Sequence, residues 1–275
     1  MNHVRLYRAV FVLLLTSLAV AQSPAFEVVS IKPARGGDPR SMRMRVLPHG
    51  VLTASAVPVL ELLRYAYGVP INPSPRLSGL PEWRETYDIE AKAPANAVPT
   101  GLQESEQRRR MQGMIRALLF DRFKLVMRVE QKTMAVYALT VANGGPNLQK
   151  STIAETDCMF DTGIPEGCHK FIMGRGHPLR ARAITMDDLV QYMENWTDVP
   201  VVNHTGLNGL FAVETEGWNP MRLPPPPPGT AAGASPYNDL PTIFTVLRPL
   251  GLELKQETAT VPVYTVDHIE RPSAD

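Results

Sequence analysis

The side chains able to do chemistry are few: two cysteines, five histidines beyond residue 21, some acid pairs and a run of three arginines. Cys158 and Cys168 flank a segment holding Gly163, Pro165 and Gly167, a composition that lets the chain fold back and join the sulfurs as a disulfide. The same thiols with His169 and His177 would be metal ligands, but no standard ligand spacing is present, so neither a metal nor another cofactor is expected. The sequence contains no His-Glu-x-x-His, no nucleophile elbow and no phosphate-cradling Gly-rich loop, and no catalytic residue is assigned. Asp187-Asp188 follows Thr185, where acids favour a helix amino end; Glu214 and Glu216 share one strand face. Arg108-Arg109-Arg110 follows Glu104 and Glu106 and reads as a solvated helix face. Arg175 with His177 sits in a Gly-rich loop where it would meet an anion, while Gly36-Gly37-Asp38 is a plain loop. Candidate ligand contacts are Arg43 and Arg45, which alternate with Met42 and Met44, and Trp83 and Trp218, which lie near turns. Trp196 falls on an apolar helix stripe and is expected in the core.

The elements that must position these residues alternate between periods of two and 3.6. Strands are expected over 26–32, 41–46 and 87–91, then over 124–130 and 134–141. Val57, Leu60, Leu63, Arg64 and Tyr67 mark a helix closed by Gly68 before Val69-Pro70. A second helix spans 104–120, with Met111, Met114, Ile115, Leu118 and Leu119 on one side, and another spans about 238–247.

The same order returns later in the chain. Met186, Leu189, Tyr192, Met193 and Trp196 match the first helix stripe at an offset of 129, and Val199-Pro200 answers Val69-Pro70. Thr205-Gly206-Leu207 answers Ser78-Gly79-Leu80, and Phe211-Ala212-Val213-Glu214 answers Tyr87-Asp88-Ile89-Glu90. Leu252-Glu253-Leu254-Lys255 and Val263-Tyr264 answer Leu125-Val126-Met127-Arg128 and Val136-Tyr137 at an offset of 127. The preserved order predicts an α+β fold of two tandem, pseudo-two-fold related α/β repeats, with antiparallel or mixed sheets and helices on one side. The first repeat covers 24–149 and the second 181–275. Between them, residues 150–180 form a linker loop carrying the disulfide, and residues 219–237 are an insertion with five consecutive prolines, Pro224 to Pro228.

Arg5 and Arg8, the apolar stretch from Val10 to Ala19, and Ala19-Val20-Ala21 read as a secretory signal peptide over residues 1–21, with a retained N-terminal anchor as the alternative. No later stretch is apolar enough to span a membrane. The chain is thus expected in the periplasm or outside the cell, where a disulfide persists. Without Arg5 and Arg8 the mature chain carries 26 Lys+Arg against 27 Asp+Glu, a balance that argues against nucleic acid as a partner.

Several segments resemble an exported, uncharacterised bacterial family, the domain-of-unknown-function family numbered 3738, which is expanded in some soil bacteria. They are Phe26-Glu27-Val28-Val29-Ser30-Ile31-Lys32-Pro33, Leu62-Leu63-Arg64-Tyr65-Ala66-Tyr67-Gly68-Val69 and Leu118-Leu119-Phe120-Asp121-Arg122-Phe123-Lys124-Leu125. The pattern continues with Val136-Tyr137-Ala138-Leu139, Val201-Val202-Asn203-His204-Thr205-Gly206-Leu207-Asn208-Gly209 and Val266-Asp267-His268-Ile269-Glu270-Arg271-Pro272. The resemblance implies no catalytic residues, and members typically carry Asp and a Lys-like residue where Asn203 and His204 stand here. Related modules accompany sensor-type membrane metallopeptidase regions, which implies envelope sensing. The helix with its Val-Pro turn also resembles the short periplasmic domain of secretins and outer-membrane receptors, a likeness of small α/β units that fixes no function. The function expected is a non-enzymatic envelope binding or sensing-accessory module for a protein, peptide or cell-wall component. The alternative is an envelope hydrolase with an unrecognised site.

Overall fold

The computed structural model describes residues 25–35, 42–70, 74–158, 168–172, 174–221 and 237–272. Residues 1–21, expected as a signal peptide, the Gly36-Gly37-Asp38 loop, the segment between the cysteines and the five-proline run lie outside them. The fold is α+β, with helices packed alongside three sheets.

In the first sheet, β1 (Val28–Pro33) and β3 (Val51–Pro58) flank β5 (Thr86–Lys92), and β2 (Arg43–Leu47) closes the other side, giving the order β1-β5-β3-β2. All its pairings are antiparallel. The register of β3 on β5 shifts between Ala54 and Val57, where Ala56 takes a left-handed φ of 50° and its N–H donates to Asp88 Oδ1 at 2.9 Å. This bulge carries the strand through Pro58, so the helix α1 (Val59–Tyr67) begins two residues later than its sequence stripe suggests. Its buried positions are Val59, Leu62, Leu63 and Ala66. The second sheet, in the order β7-β10-β8, contains β7 (Gln149–Lys150), β8 (Arg180–Ile184) and β10 (Phe211–Glu214). The helix α3 (Met186–Glu194) follows β8 and buries Met186, Leu189, Val190 and Met193. The buried positions of the two helices lie 127 residues apart, against the 129 read from the stripes.

The third sheet joins the two regions in the order β4-β11-β6-β9. Its centre is one long antiparallel pair, β6 (Val126–Val141) and β11 (Leu252–His268). Two short strands were expected in place of β6. The middle of the pair crosses between cores with Glu130 to Thr133 exposed on both faces, so no apolar alternation marks it as strand. Pro262 is tolerated inside β11 because that stretch pairs with β6 on one side only, β4 (Leu77–Ser78) joining at Tyr264 and Thr265. At the other edge, β9 (Val201–Asn203) runs parallel to β6 from Tyr137 to Leu139.

Two cores result. The first gathers Ile31, Leu52, Leu62, Ile89, Met114 and Phe123 beneath α1 and α2 (Glu104–Phe123), and takes Val266 from β11. The second gathers Leu189, Met193, Trp218 and Leu252 beneath α3 and the short α4 (Ile243–Leu247), and takes Leu139 from β6. Each core thus depends on a strand from the other half of the chain. An ion pair also links the halves: Arg76 Nε lies 2.7 Å from Glu194 Oε1, both largely buried. Among the described residues no helix is long and apolar enough to cross a membrane.

Candidate functional site

A cleft of about 330 Å³ opens where the halves meet. β2 contributes Met44 and Val46, whose side chains alternate with exposed Arg43 and Arg45 as the strand period requires. α1 contributes Arg64, Tyr65 and its closing Gly68, whose left-handed φ of 61° ends the helix. α2 contributes Glu104, Gln107, Arg108 and Gln112, and α3 contributes Gln191. The spacing of the α2 residues puts one polar stripe beside the apolar stripe through Met111, Met114 and Ile115.

Polar contacts order most of this wall. Arg64 is held by Glu61, 2.7 Å from Nη1 to Oε1, and donates from Nε to the Pro70 carbonyl at 3.1 Å. Gln112 Nε2 donates to the Tyr65 carbonyl at 3.0 Å. Burial raises the Tyr65 phenol's pKa, Glu104 adds to the rise and Arg108 opposes it, so the phenol remains a hydrogen-bond donor. Arg108 spans two elements, with Nη2 3.3 Å from Glu104 Oε1 and Nη1 3.8 Å from Asp188 Oδ1. Gln107 is the exception. It is 3% exposed, and neither amide atom has a partner; Glu104 Oε2 beside it is equally buried and unpartnered. An amide buried in this way costs free energy until something supplies its bonds.

Beyond Arg108 the polar chain continues. Asp188 closes a capping box with Thr185 at the start of α3, as the acid pair there predicts, and its Oδ2 lies 2.7 Å from His169 Nδ1. His169 Nε2 lies 3.2 Å from Glu155 Oε1. The His169 pKa is raised, first by the Asp188 hydrogen bond, with burial opposing. Burial also works against the Asp188 carboxylate, yet His169 and Thr185 hold its pKa below the ordinary value. With a carboxylate at each nitrogen the imidazole is a clamp between α3 and the cysteine loop. Thr185 Oγ1, the nearby hydroxyl, donates to Asp188 instead of facing the ring.

Cys158 and Cys168 form the expected disulfide, with Cα atoms 5.8 Å apart and both side chains buried against Ala183 and Leu210. Glu155, Cys158 and His169 lie close enough to hold an ion, but the disulfide removes the thiolate and His169 is engaged at both nitrogens. His177 stacks on Trp196 with ring centres 3.7 Å apart, and burial lowers its pKa. Arg175 pairs with Asp239 at 3.0 Å.

The residues singled out from sequence are not gathered in one place. Arg43 and Arg45 are exposed on the outer face of β2, behind the cleft wall. Trp83 is half-buried, edge-on to Tyr87 and beneath the Arg271 guanidinium at 5.5 Å. Trp218 is fully buried in the second core, so its place near a turn reflects packing and not a groove. Arg108 faces the cleft, whereas Arg109 and Arg110 pair with Glu106 as a solvated face would. Asn203 needs no charge: Nδ2 donates to Asp187 Oδ1 at 2.8 Å and Oδ1 accepts from Thr205. The cleft residues Gln107, Gln112 and Gln191 escaped the sequence reading because glutamine carries no charge and belongs to no motif. The available signal was a polar residue at helical spacing within an apolar face.

A family model described as Protein of unknown function (DUF3738) matches residues 60–269. The chain belongs to that family. No curated protein and no solved structure matches it.

Proposed function

We propose that this family member is an exported, non-enzymatic binding module whose ligand, an envelope protein, peptide or cell-wall component, seats in the cleft between α1, α2 and β2. The observation that carries this reading is Gln107, buried with both amide atoms unpartnered at a cavity that also presents Arg108, Tyr65, Gln112 and Gln191. A native chain tolerates an unsatisfied amide where binding repays it. Amides, a phenol and guanidinium groups recognise peptide bonds, carboxylates and sugar hydroxyls, while the apolar Met44 and Val46 contact the ligand's carbon frame. Export rests on the basic, apolar and small-residue segments of residues 1–21 and agrees with a disulfide as the state of both cysteines.

The module is built from two copies of one α/β unit. Support comes from register. Thr133 pairs with Thr260 at the centre of the long ribbon, their hydroxyls 3.0 Å apart and 127 residues apart in sequence, the same offset that relates α1 to α3. A two-fold axis there would exchange β6 with β11 and β4 with β9, matching Tyr137 opposite Val201 to Tyr264 opposite Leu77. Val57 opposite Tyr87 likewise answers Ile184 opposite Phe211.

The test is calorimetric titration of the mature chain with soluble muropeptides and envelope-derived peptides. Binding that Gln107→Leu weakens at least about tenfold supports the seat. Unchanged binding by that variant overturns it, and recovery of a cleaved ligand installs the alternative of an envelope hydrolase.

A further inference from the structure

Among the described residues, the sheet that walls the cleft ends in an edge without a neighbour. β2 has β3 on one side and, among the described residues, no strand on the other. In the second sheet β8 answers β3 by register, and a different element takes the place of β2 beside it. Its edge strand β8 is covered by the chain after the disulfide, where His169 N–H donates to the Ala183 carbonyl at 2.8 Å and Ile172 N–H to the Arg180 carbonyl at 2.7 Å. Among the described residues the outer edge of β2 carries no strand, and an open edge is a template for another strand.

The chemistry of β2 selects among strands. Arg43 and Arg45 project from its outer face opposite Ser55 and Thr53, and these four with Ala54 line a shallow pocket of about 200 Å³. Neither arginine has an ion-pair partner among the described residues, and the acids on that face of β5 are Glu90, opposite Thr53, and Asp88, which accepts from the Ala56 N–H. The inner face of the same strand, through Met44 and Val46, forms the cleft wall. A second copy of β2 laid antiparallel on this edge would bring arginines against arginines, which repels. An acidic strand is favoured for the same reason.

We propose that β2 receives an extended acidic peptide as a fifth strand of the sheet. Main-chain hydrogen bonds form along Arg43–Leu47, a length suited to about five peptide residues. Alternate acidic side chains pair with Arg43 and Arg45, and the intervening side chains pass over Met44 and Val46 toward the cleft. The inference rests on the binding reading and narrows its ligand to a peptide.

The probe is a fluorescein-labelled heptapeptide alternating valine and glutamate, followed by fluorescence anisotropy against the full mature protein. Saturable binding is expected, weakened by about 0.5 M salt and at least about tenfold by the double variant Arg43→Ala/Arg45→Ala. The same peptide N-methylated at alternate amides keeps its charge but loses the strand's donors, and should bind at least about tenfold more weakly. A peptide with lysine in place of glutamate should not saturate. Equal binding by the arginine variant, equal binding of the N-methylated peptide, or no binding of any peptide overturns the inference. So does a concentration-dependent dimer that the arginine variant strengthens, since β2 would then serve a second copy. If the peptides fail while a muropeptide still binds in a manner sensitive to Gln107→Leu, the strand addition falls and the cleft reading stands. If both fail, both fall.

Discussion

Replacing Gln107 by leucine should make the free protein more stable while disabling its cleft. The two side chains have similar length and helix propensity, so α2 itself is unaffected. In the folded chain, Gln107 is 3% exposed and both amide atoms lack partners, so folding strips water from them without compensation. Mutational data set the cost of such an amide at about 1–3 kcal/mol, a cost leucine does not incur. A gain of about 2 kcal/mol corresponds to a rise in Tm of about 4–8 °C for a chain of this size. The control is Gln112→Leu on the same helix, where the lost amide does have a bond, Nε2 to the Tyr65 carbonyl at 3.0 Å. That change should lower stability by about 1 kcal/mol. Urea and thermal unfolding followed by circular dichroism read both signs. Destabilisation by Gln107→Leu of about 1 kcal/mol or more would refute the reasoning, because the amide must then be satisfied in the free protein.

Three further outcomes follow from the same contacts. His169→Gln should cost about 2 kcal/mol between pH 3.8 and 6.5. The raised His169 pKa means its contribution is present at and below 6.5 and disappears as pH rises through the folded value. The lowered Asp188 pKa means the acid side of the window closes only as pH falls through a value below 3.8. A wild-type minus variant difference that grows above pH 7 would contradict this. Removing the disulfide with Cys158→Ala/Cys168→Ala should cost about 2–3 kcal/mol, and dithiothreitol should lower the wild-type Tm equally while leaving the variant unchanged. Residues 24–149 expressed alone should form a homodimer through β6 paired with itself about Thr133, as the two-copy reading requires. A folded monomer by sedimentation would sink that reading.

How much of this was visible in the sequence depends on whether a residue's surroundings are local. The apolar stripe of α2, the strand alternation of Arg43 to Val46 and the acids capping the first turn of α3 depend on period and on neighbours within one turn, and each is legible from spacing. The start of α1 is not, because it is set by a bulge at Ala56 that Asp88 stabilises from another strand. The continuity of β6 is hidden for a related reason. Its exposed centre, Glu130 to Thr133, resembles a turn unless the pairing with β11 is known. Trp218 shows the limit for single residues, since nearness to a loop says nothing about which side of the chain meets the core. The cleft lies further still from the sequence. Gln107 and Gln191 are 84 residues apart, and only the strand exchange between the halves brings α2 and α3 together.

The most direct test of the cleft as a ligand seat is nuclear magnetic resonance of the mature protein, following glutamine side-chain amide signals while envelope peptide and muropeptide fractions are added. The account predicts that one fraction shifts the Gln107, Gln112 and Gln191 amides together, that Gln107→Leu abolishes the effect, and that the ligand is recovered intact. Shifts confined to other surfaces, or a ligand recovered cleaved, would contradict it.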